Sequence, residues 1–106
     1  MAAITVAELL VGVELADAAN RARRRALVEA VVATIPVEDY DLDVARAHAG
    51  LLAHARRSGR ARGAHDLVIA ATALARDRIV VTADRGGFDG LPGVAVRLAP
   101  GSAMER

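Results

Sequence analysis

Apolar and polar positions recur along this chain mostly with helical period, and only two stretches near the C-terminal end read as strands. Thr5 with Glu8 three residues later has capping-box spacing, and Val6, Leu9, Leu10 and Val13 follow at helical intervals. This predicts a first helix from about Val6 to about Ala16. The segment NRARRRALVEAVVATI reads as a second helix with Asn20 as N-cap and Ala26, Leu27, Ala30 and Val31 on its inner face. Pro36 ends it. PVEDYD is expected to be a brief edge strand leading to Asp43, the cap of a third helix. That helix places Val44, Ala47, His48, Leu51, Leu52 and Ala55 on one stripe and stops near Gly59.

A fourth helix lies in RGAHDLVIAATA, apolar almost throughout. RIVVTAD is a β-branched run of the kind that forms a buried strand, RGGFDGLPG is a loop, and VAVRLAP is a last strand. Helices alternating with short strands imply an α/β fold with a mostly parallel sheet. The 106 residues suffice for one real core and not for two, so a single domain over 1–106 is expected.

Composition narrows the chemistry. The formal charge of +1 gives no whole-molecule field toward nucleic acid or anionic lipid, so electrostatic function must come from local clusters. Every basic residue other than histidine is Arg, the better fork for phosphate or carboxylate. With no Cys there is no disulfide framework, thiolate nucleophile or Cys-based zinc site. No apolar run approaches the ~20 residues of a membrane span, and no signal-peptide order opens the chain. A cytoplasmic protein without membrane contact is the expectation. The 54% hydrophobic content and mean hydropathy of +0.29 further imply surface hidden against a partner.

Three acids sit where a helix starts or a strand ends: Glu8, Asp66 and Asp84. In parallel α/β architecture, strand carboxyl ends and helix amino ends share one sheet edge, where ligands bind. Converging carboxylates without His or Cys make an oxygen-ligand site suited to Mg²⁺ or Mn²⁺. Each acid also has a structural role open to it: Glu8 in a capping box, Asp66 at a helix dipole, Asp84 in a turn before two glycines. Asp66 carries the most weight, because Ile69, Ala70 and Ala73 share its side of the helix. A carboxylate turned toward an apolar face needs a cation or donor to meet it.

The other polar candidates are weaker. His48 and His54, six apart, do not share a helical face. His65 either touches a substrate phosphate or sits at the surface. Arg56, Arg57, Arg60 and Arg62 flank the start of the fourth helix, either guiding RNA or simply solvated. Tyr40 and Phe88 are the only aromatics, so no base-stacking platform is available, and Phe88 is expected to be a core plug.

Together, TVAELLVGVELA, RGAHDLVIAATALA and VVTADRGGFDGLPGVAV resemble the VapC-like PIN domain, the ribonuclease toxin of type II toxin–antitoxin pairs. The resemblance implies an α/β/α sandwich and a Mg²⁺- or Mn²⁺-dependent endoribonuclease acting on RNA. Its implied partners are a cognate antitoxin and a second copy of the chain. The family's metal-binding acids fall on Glu8, Asp66 and Asp84, with Thr82 as a helper hydrogen-bonding the site. Such proteins open with a hydrophobic strand carrying D-T/S and a first helix, and this chain is expected to begin inside the second strand, at AAIT, either by a misassigned start or by natural truncation. The alternative to an active nuclease is an inactive PIN remnant that keeps dimer or antitoxin binding.

Overall fold

The computed structural model describes residues 1–100. The chain forms two compact units, Met1–Asp39 and Tyr40–Arg106.

In the first unit, α1 (Ala3–Glu14) and α2 (Ala18–Thr34) pack against each other. The expected capping box does not form. Extended Ala2 pairs in parallel with Glu38, Ala3 N donating to Glu38 O at 3.0 Å and Glu38 N to Met1 O at 2.7 Å, and the helix begins directly after this bridge. Thr5 therefore lies within the first turn, and Glu8 is an exposed residue further along α1. A tertiary pairing has overridden a local start signal.

PVEDYD is likewise one bridge rather than a strand. The Pro36 carbonyl accepts from the Met1 amino group, and on the other side the chain turns into α1 at Ala3, so the pairing is confined to this one bridge. The cap of α2 is Asp17, not Asn20: its carboxylate accepts from Asn20 N at 2.9 Å, and Ala18 and Ala19 enter the helix. Val28 is the buried residue of α2, whereas Leu27 is 67% exposed. The inner face thus sits one residue away from the expected stripe.

In the second unit, α3 (Leu42–Ser58) packs on α4 (Ala64–Ala75), followed by β1 (Ile79–Thr82), a single 3-10 turn (Arg85–Gly87) and β2 (Ala95–Leu98). Asp41, not Asp43, caps α3, accepting from Val44 N at 3.1 Å; Asp43 falls in the first turn. Gly59 ends α3 in the left-handed region, φ 68°, where glycine carries no Cβ penalty. The expected α3 stripe is the observed one. Val44, Leu51 and Ala55 are buried, and Val44 and Leu51 join Leu67, Ala70, Ala71, Val80, Phe88 and Leu91 in one core. Fully buried Ala70 and Ala71 keep the α4 surface flat where it enters that core. Phe88, 6% exposed, fills it under the last loop.

The strands β1 and β2 pair in parallel, Ile79 opposite Ala95 through Thr82 opposite Leu98. β1 is buried on one side only: Val80 faces the core, while Val81 is 59% exposed. An apolar run without polar alternation gave no hint of this. The α/β class is clear, since the ladder and the Ala2–Glu38 bridge are both parallel. Among the described residues, no helix is long and apolar enough to cross a membrane.

Candidate functional site

Asp66 is the third residue of α4. The helix is preceded by Gly63, which offers no capping side chain, so the N-terminal N–H groups and their partial positive charge are left to whatever anion lies in the first turn. Asp66 is that anion. Its carboxylate caps nothing: among the described residues it accepts no hydrogen bond and joins no ion pair, although the residue is half-buried. Instead it occupies space left by two glycines. A Cβ at Gly87 would lie 2.5 Å from Asp66 Oδ2, and one at Gly63 would lie 3.2 Å away.

Asp84 follows β1 and caps the 3-10 turn, its Oδ1 accepting from Gly86 N at 2.9 Å. The turn role foreseen for it is thus filled by one oxygen, and the residue is exposed. Thr82 acts on Asp84 through the main chain: its hydroxyl donates to Asp84 O at 3.1 Å and accepts from Asp84 N at 3.1 Å. Asp66 and Asp84 consequently flank two consecutive glycines of one turn, Asp66 against Gly87 and Asp84 against Gly86. Glu8 lies on α1 in the first unit. Among the described residues, no group of three or more His, Cys, Asp or Glu is placed to hold a metal ion.

Two of the four arginines before α4 are structural ties rather than a free basic patch. Arg60 Nη2 donates to Gly86 O at 2.7 Å and Nη1 reaches Asp89 O at 3.5 Å. Arg62 Nη1 reaches the same Gly86 O at 3.4 Å, and Nη2 donates to Asp89 O. Partial burial, and then the charge of Arg60 beside it, lower the pKa of the Arg62 guanidinium from its ordinary value. Arg56 and Arg57 remain exposed at the end of α3. The segment also borders a cavity of about 310 Å³ lined by Leu52, Ala55, Arg56 and Leu67. His48 is engaged by Tyr40, whose hydroxyl lies 2.8 Å from Nδ1, and His65 is exposed. Gly87, Arg60 and Arg62 escaped sequence reasoning as parts of the acid site. A paired glycine two residues after an acid was the available signal for the first.

A two-carboxylate turn beside a helix N-terminus defines a class of site, and comparison with known proteins identifies the family. Residues 1–93 match the PIN domain model, and the chain belongs to the PIN-domain family. Within it, the chain is 43% identical over 95 residues to ribonuclease VapC5 of Mycobacterium tuberculosis, an alignment covering 87% of this chain and 67% of that protein. It is 36% identical over 96 residues to VapC ribonuclease Y4jK of Sinorhizobium fredii, covering 84% and 66%. The fold is similar to that in DNA-bound VapBC from Salmonella typhimurium, with TM-score 0.85 and 32% identity over 92% of this chain and 72% of the other. It is also similar to VapBC-5 of M. tuberculosis, with TM-score 0.79 and 37% identity over 91% and 78%. The chain is VapC-like and spans about two thirds of the length of these ribonucleases.

Proposed function

We propose that this chain acts as a Mg²⁺- or Mn²⁺-dependent endoribonuclease toxin of a type II toxin–antitoxin pair, in the cytoplasm. The carrying observation is Asp66, a half-buried carboxylate with no hydrogen-bond or ion-pair partner among the described residues, cradled by two glycines next to Asp84. The donor set fits the ion. Mg²⁺ is a hard cation that keeps several waters and is commonly held by one or two carboxylates together with substrate phosphate, so a complete protein cage is not required. Asp66 and Asp84 would hold it. Held by these residues, the ion would supply Lewis-acid chemistry, lowering the pKa of a water and offsetting negative charge on a phosphodiester.

The chain's own residues supply the rest. Gly86 N–H directs one Asp84 oxygen and leaves the other unclaimed by the turn; Thr82 fixes the backbone from which Asp84 projects. Gly86 and Gly87 present no side chain to an approaching phosphate backbone. Arg56 and Arg57 are exposed cations for neighbouring phosphates. With Phe88 in the core and Tyr40 beside His48, RNA contacts run through phosphate and sugar rather than stacked bases.

A cognate antitoxin and a second copy are the proposed partners. VapBC from Salmonella typhimurium and FitAcB from Neisseria gonorrhoeae are structural neighbours at TM-scores of 0.85 and 0.74. The first unit exposes Leu15 at 82% along with Leu27, apolar surface suited to burial against another chain.

The test is RNA cleavage by the purified chain with Mn²⁺ or Mg²⁺. Cleavage is expected to stop with EDTA and to fall at least 100-fold in Asp66→Asn, while metal-free Tm stays near the parent's. Cleavage indifferent to EDTA, or undiminished in Asp66→Asn, overturns the proposal.

A further inference from the structure

The segment between α3 and α4 delivers two guanidinium groups to the same pair of main-chain oxygens. Arg60 and Arg62 both reach Gly86 O, at 2.7 and 3.4 Å, and both reach Asp89 O. Bringing two like charges onto shared acceptors opposes itself electrostatically, so the arrangement is held by directional donation from planar forks rather than by charge alone. Its target is specific. Gly86 is the residue whose N–H holds Asp84 Oδ1, and Gly87, next in the chain, is the residue against which Asp66 Oδ2 rests. The clamp therefore grips the turn between the two acids at its carbonyls, while the acids contact it from elsewhere.

We infer that Arg60 and Arg62 are positioning residues: by fixing Gly86 and Asp89, they set where Asp84 and Asp66 stand relative to each other. This rests on the proposed metal-binding role of those acids. Without the clamp, the turn loses the tie to the segment before α4 that these four contacts provide, and a carboxylate pair must hold its geometry within about 0.5 Å to act on one ion. The two arginines are accordingly part of the frame, and any RNA-guiding role among these arginines falls to Arg56 and Arg57.

Charge and position predict opposite signs, which makes the inference testable. Two cations beside an acid pair repel Mn²⁺, so if only their charge mattered, removing them would tighten Mn²⁺ binding. If they position the acids, removal weakens it. The R60M/R62M variant keeps the apolar stems and loses all donors, while R60K/R62K keeps the charge and loses the planar fork. In metal-free protein, ¹⁵N relaxation is expected to show Gly86 and Gly87 order parameters falling from about 0.85 to below about 0.6 in the Met variant, with α4 amides unchanged. Mn²⁺ titration followed by electron paramagnetic resonance is expected to show at least tenfold weaker binding in the Met variant and an intermediate loss in the Lys variant.

Unchanged order parameters overturn the clamp. Equal or tighter Mn²⁺ binding by the Met variant overturns its positioning of the acids. A parent chain that binds no Mn²⁺ overturns the metal role of the acids instead, and the clamp is then decided by the relaxation data alone.

Discussion

Adding one methyl group at Gly87 should separate function from stability. In Gly87→Ala the new Cβ would lie 2.5 Å from Asp66 Oδ2 and 3.3 Å from Asp66 Cγ. Close carbon–oxygen contacts in proteins lie at roughly 3.3–3.6 Å, so the carboxylate oxygen must retreat by about 1 Å. The retreat itself is cheap, because Asp66 is half-buried and can rotate, at a cost of about 0.5–1.5 kcal/mol if it leaves its rotamer. Opposing this, alanine restricts the unfolded chain and contributes about 0.4–1 kcal/mol, and Gly87 is not among the glycines with positive φ, so alanine meets no backbone penalty there. The two effects nearly cancel, and Tm should move by no more than about 4–8 °C, the shift that ~1 kcal/mol produces in a domain of this size.

The metal site has no such slack. A displacement of about 1 Å at a reacting group is commonly worth about 100-fold, so Mn²⁺ affinity and Mn²⁺-dependent cleavage should fall on that order. Isothermal titration with Mn²⁺, a cleavage time course and a thermal melt on the same preparation test this. Parent-like Mn²⁺ affinity and cleavage in well-folded Gly87→Ala would refute the role given to the Asp66–Gly87 contact.

Two further substitutions probe the frame around the site. Gly50 lies within α3 with nothing within 4 Å of its would-be Cβ, so Gly50→Ala should stabilise the chain by about 0.5–1 kcal/mol, read as a higher urea midpoint; a lower midpoint would mean that the exposed face of α3 is constrained in some other way. The Asp41 carboxyl is held below its ordinary pKa, first by the hydrogen bond from Val44 N and then by Arg76, which also forms an ion pair with it. Its contribution is therefore fully present above the unfolded-state pKa of about 3.9 and is lost as pH falls through the lower folded value. Since Asn caps as well as Asp, Asp41→Asn should be less stable than the parent at pH 7, with the gap closing below about pH 4; a gap independent of pH would count against the charge interaction.

Local periodicity was sufficient wherever one amphipathic face decided the outcome. The α3 stripe from Val44 to Ala55, its end at Gly59 and the places of the strands around VVT and AVRL follow from residue order, because burial and the glycine left-handed region act within a few residues. The place of Asp66 was legible for the same reason: a carboxylate in the first turn of a helix that is apolar almost throughout is conspicuous on its own.

Pairing at a distance decided the rest. Thr5 and Glu8 carry a sound capping signal, yet α1 starts at Ala3, directly after the bridge in which Met1 and Ala3 bond to Glu38, about thirty-five residues on. Asn20 is a good cap that Asp17 displaces by accepting its N–H. The exposed side of β1 depends on what lies across it, which no count of β-branched residues reports. The Asp84–Gly86–Gly87–Asp66 arrangement, and the arginines gripping it, join segments more than twenty residues apart through main-chain carbonyls and a missing Cβ. Carbonyls have no letter in a sequence, and a glycine's letter does not say what will occupy the space it leaves; only the folded chain brings Asp66 to that space.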